Sequence, residues 1–330
     1  MWRAGPGAFM TRSQRTAAFI ASRLASVVLT IAGATLLLFL MVRLVPGDFT
    51  SVMLGPRATP ELRAQITHDM GLDRSMVEQL WLFASRAATG NFGEDVVSHR
   101  PILDIVLDVI PNTLALAFSA LALALVVGIP IGVIAALKPG SWLDSGLALL
   151  SISFITTPTL VVSVILFLIF AIGLHWLPVA GAGNPGDIMD RLRHLILPSV
   201  ALALGWVGYI SRLVRAALLD TLAELHVRTL RAYGVSEYRI VGLYALKLAL
   251  VPVVSILGIG LGDLIGSSVV VEIIFARSGI GSLIFNSIAQ RNYPVVQACV
   301  VFIVAFYIVA NLVVDMINAL LDPRIAAGRG

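Results

Sequence analysis

The chain has 330 residues, of which 58% are hydrophobic and only 13% are charged. An ordinary soluble domain carries about 25% charged residues, so this composition excludes disordered, fibrous and small secreted proteins and disfavours a soluble enzyme. The formal charge is +4, but so apolar a chain offers no soluble surface for the basic stripe that binds nucleic acid. The single cysteine, Cys299, permits neither an intrachain disulfide nor a cysteine metal cluster. The composition predicts a multi-pass membrane protein.

Six apolar stretches are long enough to cross a membrane, at about 20 residues per transmembrane helix. The first exceeds the apolar core of a signal peptide, about 7–15 residues, and is interpreted as a retained helix. The third is predicted to form one helix with an interfacial end; a turn at Thr157-Pro158 would instead split it into two. The fourth is predicted to continue as a helix through Arg212 and Arg215. The stretches are residues 24–42, 111–137, 146–177, 195–210, 248–271 and 295–321.

The distribution of Lys and Arg predicts that both termini are cytoplasmic. With the N-terminus inside, the cytoplasmic segments contain 13 basic residues in 76, whereas the opposite side contains 10 in 111. This asymmetry follows the positive-inside rule. The cytoplasmic segments would be residues 1–23, 138–144, 211–247 and 322–330.

The extracytoplasmic loop 43–110 is long enough to contain structure of its own. Thr59-Pro60-Glu61 predicts a helix start, with proline at the first helical position. Gly71, Gly90 and Gly93 are predicted to separate short amphipathic helices. These helices would either cap the extracytoplasmic mouth or pack on the membrane surface.

The cytoplasmic segment 221–246 has helical periodicity rather than the composition of a linker. Glu224 and Arg228 are predicted to form an i,i+4 ion pair, Gly234 to end the helix, and Ser236 to cap a second one. Periodicity alone leaves two functions open: docking of a soluble partner, or an interfacial helix resting on lipid headgroups. The residues on one predicted helical face are Leu222, Leu225, His226, Thr229, Leu230 and Tyr233.

Residues His226 to Gly234, HVRTLRAYG, and Ala245 to Pro252, ALKLALVP, resemble the cytoplasmic loop of permease subunits of bacterial ABC importers. The resemblance is closest to permeases for dipeptides, oligopeptides and nickel. Further matches follow in the same order along the chain, and together they cover nearly all of it. They are residues 42–48, 71–74, 90–93, 111–113, 271–275, 279–281, 291–294 and 321–325.

The sequence departs from the family pattern at four of these positions. Leu230 and Tyr233 replace the usual alanine and lysine, which suggests a docking groove matched to this chain's own ATPase. Ser278 stands where the family usually has proline, and Asn292 where it usually has aspartate. The last two bear on docking at the extracytoplasmic side.

The resemblance implies an all-α, polytopic bundle of about six transmembrane helices in the bacterial inner membrane. The first helix, 24–42, would precede a helical extracytoplasmic loop and a five-helix permease core at 111–321. The core would include a cytoplasmic coupling loop at 211–247.

The resemblance also implies a mechanism of alternating access in an ATP-driven importer. The partners would be a homologous second permease, cytoplasmic ABC ATPase subunits and an extracytoplasmic substrate-binding protein. The chain itself would bind no cofactor, because the ATPases would bind ATP and magnesium. The residues implied in coupling to the ATPase are Glu224, Arg228, Arg231, Ala232, Tyr233 and Gly234. Among them, Arg228 and Arg231 would pair with ATPase carboxylates, Tyr233 would fill a pocket, and Gly234 would set the turn.

Asp263 and Asp315 lie inside apolar stretches, where an acid suggests function. Asp315 matches the family pattern near the cytoplasmic end of the last stretch. Asp263 replaces a residue that is usually neutral, and it is predicted either to line the pathway and meet a substrate amine or to be satisfied by a neighbouring helix. Residues 260–263 also fit the G-x-G-D pattern of intramembrane aspartyl proteases. The chain has no Tyr-Asp dipeptide to supply the second aspartate, which disfavours that enzyme.

The chain has no phosphate-binding loop, so an ATPase would have to be a separate subunit. A di- or oligopeptide is the expected substrate, with a nickel chelate or another small solute as alternatives. A secondary transporter is the alternative mechanism; it would show paired broken helices or inverted repeats and would need no cytoplasmic docking helix.

Overall fold

The computed structural model describes residues 74–95 and 98–321, with isolated positions at 29–30, 32–33, 36–37, 40 and 59. The predicted termini 1–23 and 322–330, most of the first predicted span 24–42, and the predicted helix start at 60–61 lie outside the described residues. The described chain is almost entirely helical. Its only β-type pairing is an isolated bridge between Glu94 and Pro101.

Eleven α-helices follow one another in the described part of the chain, and two π-helical segments continue or precede them. Helix α4 runs on as a π-helical segment, Phe167–Gly173, and a second such segment, Ile240–Ala245, leads into α8. The helices are α1 Met76–Thr89, α2 Ile102–Leu137, α3 Trp142–Thr156, α4 Thr159–Leu166, α5 Ile188–Ala223, α6 Leu225–Ala232, α7 Glu237–Arg239, α8 Leu246–Ala249, α9 Val251–Ile274, α10 Ile280–Ala289 and α11 Tyr293–Leu321.

Four of these helices, α2, α5, α9 and α11, are each long and apolar enough to cross a membrane. A fifth crossing is formed if α3 and α4 together make one broken span. The predicted all-α membrane bundle is therefore confirmed, with four or five of the predicted spans present among the described residues.

The prediction of one continuous third helix is wrong at Thr157-Pro158. The helix axis bends by 99° between α3 and α4. Pro158 disfavours helical backbone at the residue before it, and Thr157 accordingly has ψ 121°. The break falls at the turn that the alternative prediction placed there.

Helix α5 extends beyond the predicted fourth stretch at both ends. Its first turn is capped by Asp187, whose Oδ1 accepts hydrogen bonds from the backbone N–H groups of Met189 (2.9 Å) and Asp190 (3.1 Å). At the other end the helix includes Arg212 and Arg215 and stops at Ala223. It therefore carries the chain from one side of the bundle directly to the predicted coupling segment.

The centre of the bundle is the contact between α2 and α5. Gly128 and Gly132 of α2 face α5 so closely that a Cβ on Gly132 would lie 2.8 Å from Val214 Cβ. Small residues permit this approach, which is how transmembrane helices gain packing energy when water supplies no driving force. The fully buried residues around the contact include Leu116, Ala117, Ala120, Ala124, Ile210 and Val214.

A bidentate ion pair joins α3 to the same end of α5. Arg215 Nε and Nη2 donate to the two carboxylate oxygens of Asp144, each at 2.6 Å. Asp144 also accepts the backbone N–H of Gly140 at 2.9 Å, and its side chain is only 7% exposed. This pair joins α3 to α5 two turns before α5 ends at the predicted coupling segment.

Candidate coupling segment, pathway face and extracytoplasmic junction

The predicted coupling helix is observed as α6, but it begins later than its periodicity predicts. Glu224 has extended backbone, with φ −68° and ψ 154°, and separates α5 from α6. Leu222 therefore belongs to α5, and the predicted single face from Leu222 to Tyr233 is interrupted. Glu224 is the only residue between the two helices.

Helix α6 is attached to the bundle by a narrow apolar edge. Val227 is fully buried and Leu230 is half-buried. On the opposite side Leu225 is 78% exposed and Tyr233 is 83% exposed. All six predicted coupling residues are exposed: Glu224, Arg228, Arg231, Ala232, Tyr233 and Gly234.

The ion pairs of this segment differ from the predicted one. Glu224 Oε2 lies 3.0 Å from Nδ1 of His226, so the predicted Glu224–Arg228 pair is wrong. Arg228 forms no ion pair within residues 74–95 and 98–321. Its guanidinium is therefore available to a partner.

Arg231 is engaged within the segment by Glu237, a residue that sequence reasoning missed. Nε and Nη2 of Arg231 donate to Oε1 and Oε2 of Glu237 at 2.6 and 3.2 Å. This hydrogen bonding raises the pKa of Arg231 and lowers the pKa of Glu237. The two residues lie on opposite sides of the Gly234 turn, a proximity that helical spacing cannot reveal.

Gly234 ends α6 as predicted, through a Schellman turn. Its φ is +76°, the N–H of Val235 bonds to the carbonyl of Leu230 (3.1 Å), and its own N–H bonds to the carbonyl of Arg231 (2.9 Å). A Cβ at this position would meet nothing within 4 Å. Glycine is therefore required by the backbone conformation and not by space. Ser236 precedes α7, but its side chain makes no capping hydrogen bond, contrary to prediction.

The segment after the turn is packed onto the ends of α2 and α5. Val241, Ala245 and Ala249 are buried against Ala136 of α2 and Leu218 of α5. The coupling segment is thus held to the bundle on both sides of Gly234.

Asp263, the predicted pathway residue, lies on α9 beside Trp206 of α5. The indole Nε1–H donates to Oδ2 of Asp263 at 3.0 Å, and Asp263 is exposed. The contact needs glycine next to it, since a Cβ on Gly260 would lie 2.9 Å from the Trp206 ring. A neighbouring helix thus contacts the carboxylate, as one of the two alternatives predicted, and a role in the pathway stays a prediction.

A second cluster that sequence reasoning missed joins α2, α9 and α10 at the other end of the bundle. The carboxylate of Glu272 is fully buried; it accepts a hydrogen bond from Oγ1 of Thr113 (2.6 Å) and another from the backbone N–H of Ser282 (2.9 Å). Gly279 lies against it so closely that a Cβ there would overlap the carboxylate. The family resemblance singled out residues 271–275 and 279–281, but only the fold shows that they close on each other.

Arg277 lies in the turn between α9 and α10 and is only 3% exposed. Its Nη2 reaches the carbonyl of Asn112 at 3.5 Å, whereas Nε and Nη1 have no hydrogen-bond partner in the described part of the chain. Burial lowers the pKa of this guanidinium, and the nearby Glu272 carboxylate opposes that shift. We call this contact between α2, α9 and α10 the junction. It contains a buried acid, Glu272, whose two oxygens accept hydrogen bonds, and a buried base, Arg277, of which two nitrogens have no partner in the described part of the chain.

Comparisons with known proteins agree with this geometry. A family model described as "Binding-protein-dependent transport system inner membrane component" matches residues 128–327, and its N-terminal counterpart matches residues 16–117. The chain is 36% identical to the di/tripeptide transport system permease protein DppB of Pseudomonas aeruginosa, over 93% of this chain and 98% of that protein. It is 34% identical to the glutathione transport system permease protein GsiC of Escherichia coli, with the same coverage.

The fold is similar to that of a chain of the MetNI methionine ABC transporter in its inward-facing conformations. The TM-score is 0.55 at 21% sequence identity, over 66% of this chain and 96% of the other. At this identity the likeness bears on the fold alone. From the family matches, the chain belongs to the binding-protein-dependent transport system inner membrane components, the non-catalytic permease subunits of ABC importers.

Proposed function

We propose that the chain forms half of the translocation pathway of an ATP-driven importer for di- or oligopeptides. The relatives that share almost its whole length are named for di/tripeptide, peptide and glutathione transport. The structural observation that carries the proposal is the exposed α6–Gly234 segment, which continues directly from α5. In this proposal the chain crosses the inner membrane several times and has both termini in the cytoplasm.

In this proposal α6 sits in a groove of a cytoplasmic ATPase subunit. The exposed side chains of Leu225 and Tyr233 would fill apolar pockets there, and the unpaired Arg228 would meet a carboxylate. Arg231 would act differently from the sequence prediction, because Glu237 already occupies its guanidinium. It would stabilise the turn that presents Tyr233, while Ala232 keeps the surface low enough for close approach.

Closure of the ATPase dimer on ATP would draw the coupling helices of two permeases together. Helix α5 continues from α6 and is joined to α3 by the Asp144–Arg215 pair, so the displacement would reach the bundle as rigid-body motion. The energy for the switch would come from the difference in ATPase contacts between the two states. ATP and magnesium would be bound by the ATPases, substrate would be delivered by a binding protein, and a homologous permease would complete the pathway.

Asp263 would lie on the pathway side of this half-channel. It is exposed on a membrane-spanning helix, and its one hydrogen bond among the described residues, from Trp206, leaves acceptor capacity on the carboxylate. A nickel chelate or another small solute remains the alternative cargo for the same machinery. A secondary transporter would leave the exposed α6 segment without a role, and the sequence has no Tyr-Asp dipeptide to supply a protease with its second aspartate.

The proposal is tested by purifying the chain in mild detergent and reconstituting it into proteoliposomes with the subunits that co-purify. We expect an ABC ATPase and a second permease in the complex, and uptake of dialanine that requires ATP and a binding protein. Uptake that continues after removal of the ATPase would indicate a secondary transporter instead. Uptake of a nickel chelate but not of dialanine would select the alternative substrate.

A further inference from the structure

One face of α9 is left uncovered by the rest of the described chain. Its residues recur every three or four positions, which places them on a single helical stripe. The opposite side of the same helix is buried, with Leu264 fully inaccessible. The stripe consists of Pro252, Ser255, Ile259, Asp263 and Gly266, all of them exposed. Its only charged residue is Asp263.

The carboxylate of Asp263 is oriented but not neutralised. Nε1 of Trp206 donates to Oδ2 at 3.0 Å, and this is the only hydrogen bond to Asp263 within the described ranges. No described Lys, Arg or His lies within ion-pair distance of it. A carboxylate has about four acceptor positions, so most of its capacity is unused. An exposed acid on a membrane-spanning helix with this unused capacity can accept a cation from elsewhere.

The indole that binds this carboxylate is packed against a second aromatic ring. Trp206 and Tyr209 are packed edge to face, with ring centroids 5.5 Å apart and planes at 65°. Tyr209 is 47% exposed. Gly260 allows the indole to lie directly against α9. The faces of such rings attract organic cations, and the carboxylate of Asp263 attracts cations as well.

The geometry selects an organic cation rather than a metal ion. A metal site needs several ligating side chains, and no group of three or more His, Cys, Asp or Glu residues that could hold a metal ion occurs among the described residues. A single carboxylate with adjacent π-faces instead matches an ammonium group. The absence of a Cβ at Gly266, which has nothing within 4 Å, leaves room one turn further along the stripe.

We infer that Asp263, Trp206 and Tyr209 form a recognition site for the free α-ammonium group of a peptide passing along the α9 stripe. The inference rests on the proposed function as a peptide importer. A peptide N-terminus titrates near pH 8 and is therefore largely cationic at neutral pH. Removing that charge from water is costly, and Asp263 compensates part of the cost at mid-pathway. The site binds loosely enough to release the peptide, as conduction requires.

The first test uses the complete importer in lipid nanodiscs and needs no substitution. Dicyclohexylcarbodiimide reacts with membrane-embedded carboxyl groups, and mass spectrometry measures modification of Asp263, with Asp315 as the internal reference. Dialanine is compared with N-isobutyrylalanine, in which a methyl group replaces the ammonium. We expect dialanine to slow modification of Asp263 by about threefold or more and the analogue to leave it unchanged, as the loss of one charged hydrogen bond implies. Equal protection by both compounds, or none by dialanine, would overturn the inference.

The second test measures ATP-driven uptake of dialanine per assembled complex. Asp263→Asn is expected to lower uptake by about tenfold, because the amide removes the charge but keeps the shape. Trp206→Phe removes the orienting N–H and is expected to have a smaller effect in the same direction. Ser153→Ala is the matched control: Ser153 is exposed on α3, and its hydroxyl donates to the Leu149 carbonyl of its own helix.

The two levels of the proposal fail in different ways. Absence of ATP-dependent dialanine uptake in the unsubstituted importer would reject the peptide-import function. Normal uptake in that importer together with equal uptake in Asp263→Asn would reject only the ammonium site. If Asp263→Asn fails to assemble, the labelling experiment on the unsubstituted protein still decides the question.

Discussion

Arg231 and Glu237 form a bidentate ion pair across the Gly234 turn, with Nε–Oε1 and Nη2–Oε2 distances of 2.6 and 3.2 Å. The pair connects the last turn of α6 to the first turn of α7. It therefore fixes the direction in which Tyr233 projects. This gives Arg231 an internal role, whereas the resemblance alone suggested contact with an ATPase carboxylate.

Replacing Glu237 with Gln should weaken coupling without unfolding the protein. The side chains of Arg231 and Glu237 are 43% and 61% exposed, so water and salt screen the pair and its contribution to global stability is small. ATP-driven uptake should fall on the order of fivefold, because the turn loses its preferred orientation. The double reversal Arg231→Glu with Glu237→Arg should recover most of the loss. If the reversal is worse than either single change, Arg231 contacts the ATPase directly.

The same pair predicts a flat pH dependence. The hydrogen bond from Arg231 lowers the pKa of Glu237, so in the folded state the carboxylate stays ionised below the ordinary Glu value of about 4.3. A lowered folded pKa means that the stabilisation is present above the unfolded pKa and is lost only as pH falls through the folded value. The ratio of uptake between the unsubstituted protein and Glu237→Gln should therefore be constant from about pH 8 to about pH 5.5. A ratio that approaches one within this window would contradict the pairing.

Substitutions at Gly234 should separate backbone conformation from space. Valine would be strained at φ +76° by about 1–2 kcal/mol, whereas asparagine tolerates left-handed backbone. We expect Gly234→Val to abolish ATP-driven uptake while membrane insertion and complex yield persist, and Gly234→Asn to retain most uptake. A Cβ at this position meets nothing within 4 Å among the described residues, so crowding of the Cβ cannot explain a defect. Equal loss in both variants would show that the partner surface, and not the turn, requires glycine.

The membrane bundle was predicted well, because a long apolar run can form few stable structures other than a transmembrane helix. It also located Gly234, since a glycine after an amphipathic segment is a local signal for a helix end. The bend at Thr157-Pro158 was predicted only as the alternative, because the run on either side is uniformly apolar and gives no indication of direction. Local sequence patterns therefore predicted which segments are helical, but not the direction of the chain from one helix to the next.

Glu237 and Glu272 were not predicted from the sequence, and the reason is different from that for the bend. Glu237 meets Arg231 only because the turn reverses the chain, and Glu272 meets Thr113, 159 positions away, only because α9 crosses α2. The apolar stretch was expected to end just before Glu272, in an extracytoplasmic loop. The structure instead continues α9 to Ile274 and buries the acid. Pairings of this kind depend on tertiary contacts for which one sequence carries no direct signal.

We expect the contact between Asn292 and Asp95 to tolerate asparagine at position 292 but not aspartate. Its Nδ2 donates to the carboxylate of Asp95, which is 7% exposed. Changing Asn292, which is half-buried, to the family-typical aspartate would place a second carboxylate against the buried one of Asp95, and they cannot both be ionised without a large cost. The variant should be less stable than the unsubstituted protein by about 1–3 kcal/mol at pH 8.

Acid should reduce that defect, because proton uptake by the carboxylate pair removes the repulsion and restores a hydrogen bond. The measurement is the thermal midpoint of the purified protein in detergent at pH 8 and pH 5.5. Asn286→Asp adds the same charge at an exposed position on α10 and should show neither the loss nor its pH dependence. A defect in Asn292→Asp that is independent of pH would show that the cause is not charge.

Glu272 and Gly279 should be equally intolerant of small changes, although one is charged and the other has no side chain. Glu272→Gln turns one acceptor into a donor that faces Thr113 or the N–H of Ser282, and a buried group left unsatisfied costs about 1–3 kcal/mol. Gly279→Ala places a Cβ on the carboxylate and forces α10 away from α9. Both variants should lower the thermal midpoint in detergent and slow uptake, while Gly146→Ala, where a Cβ meets nothing within 4 Å, should do neither. Combining the two substitutions should cost less than the sum of the single effects, because either one already opens the same junction. Strict additivity would mean that the carboxylate and the glycine stabilise the bundle independently, and would contradict a shared contact.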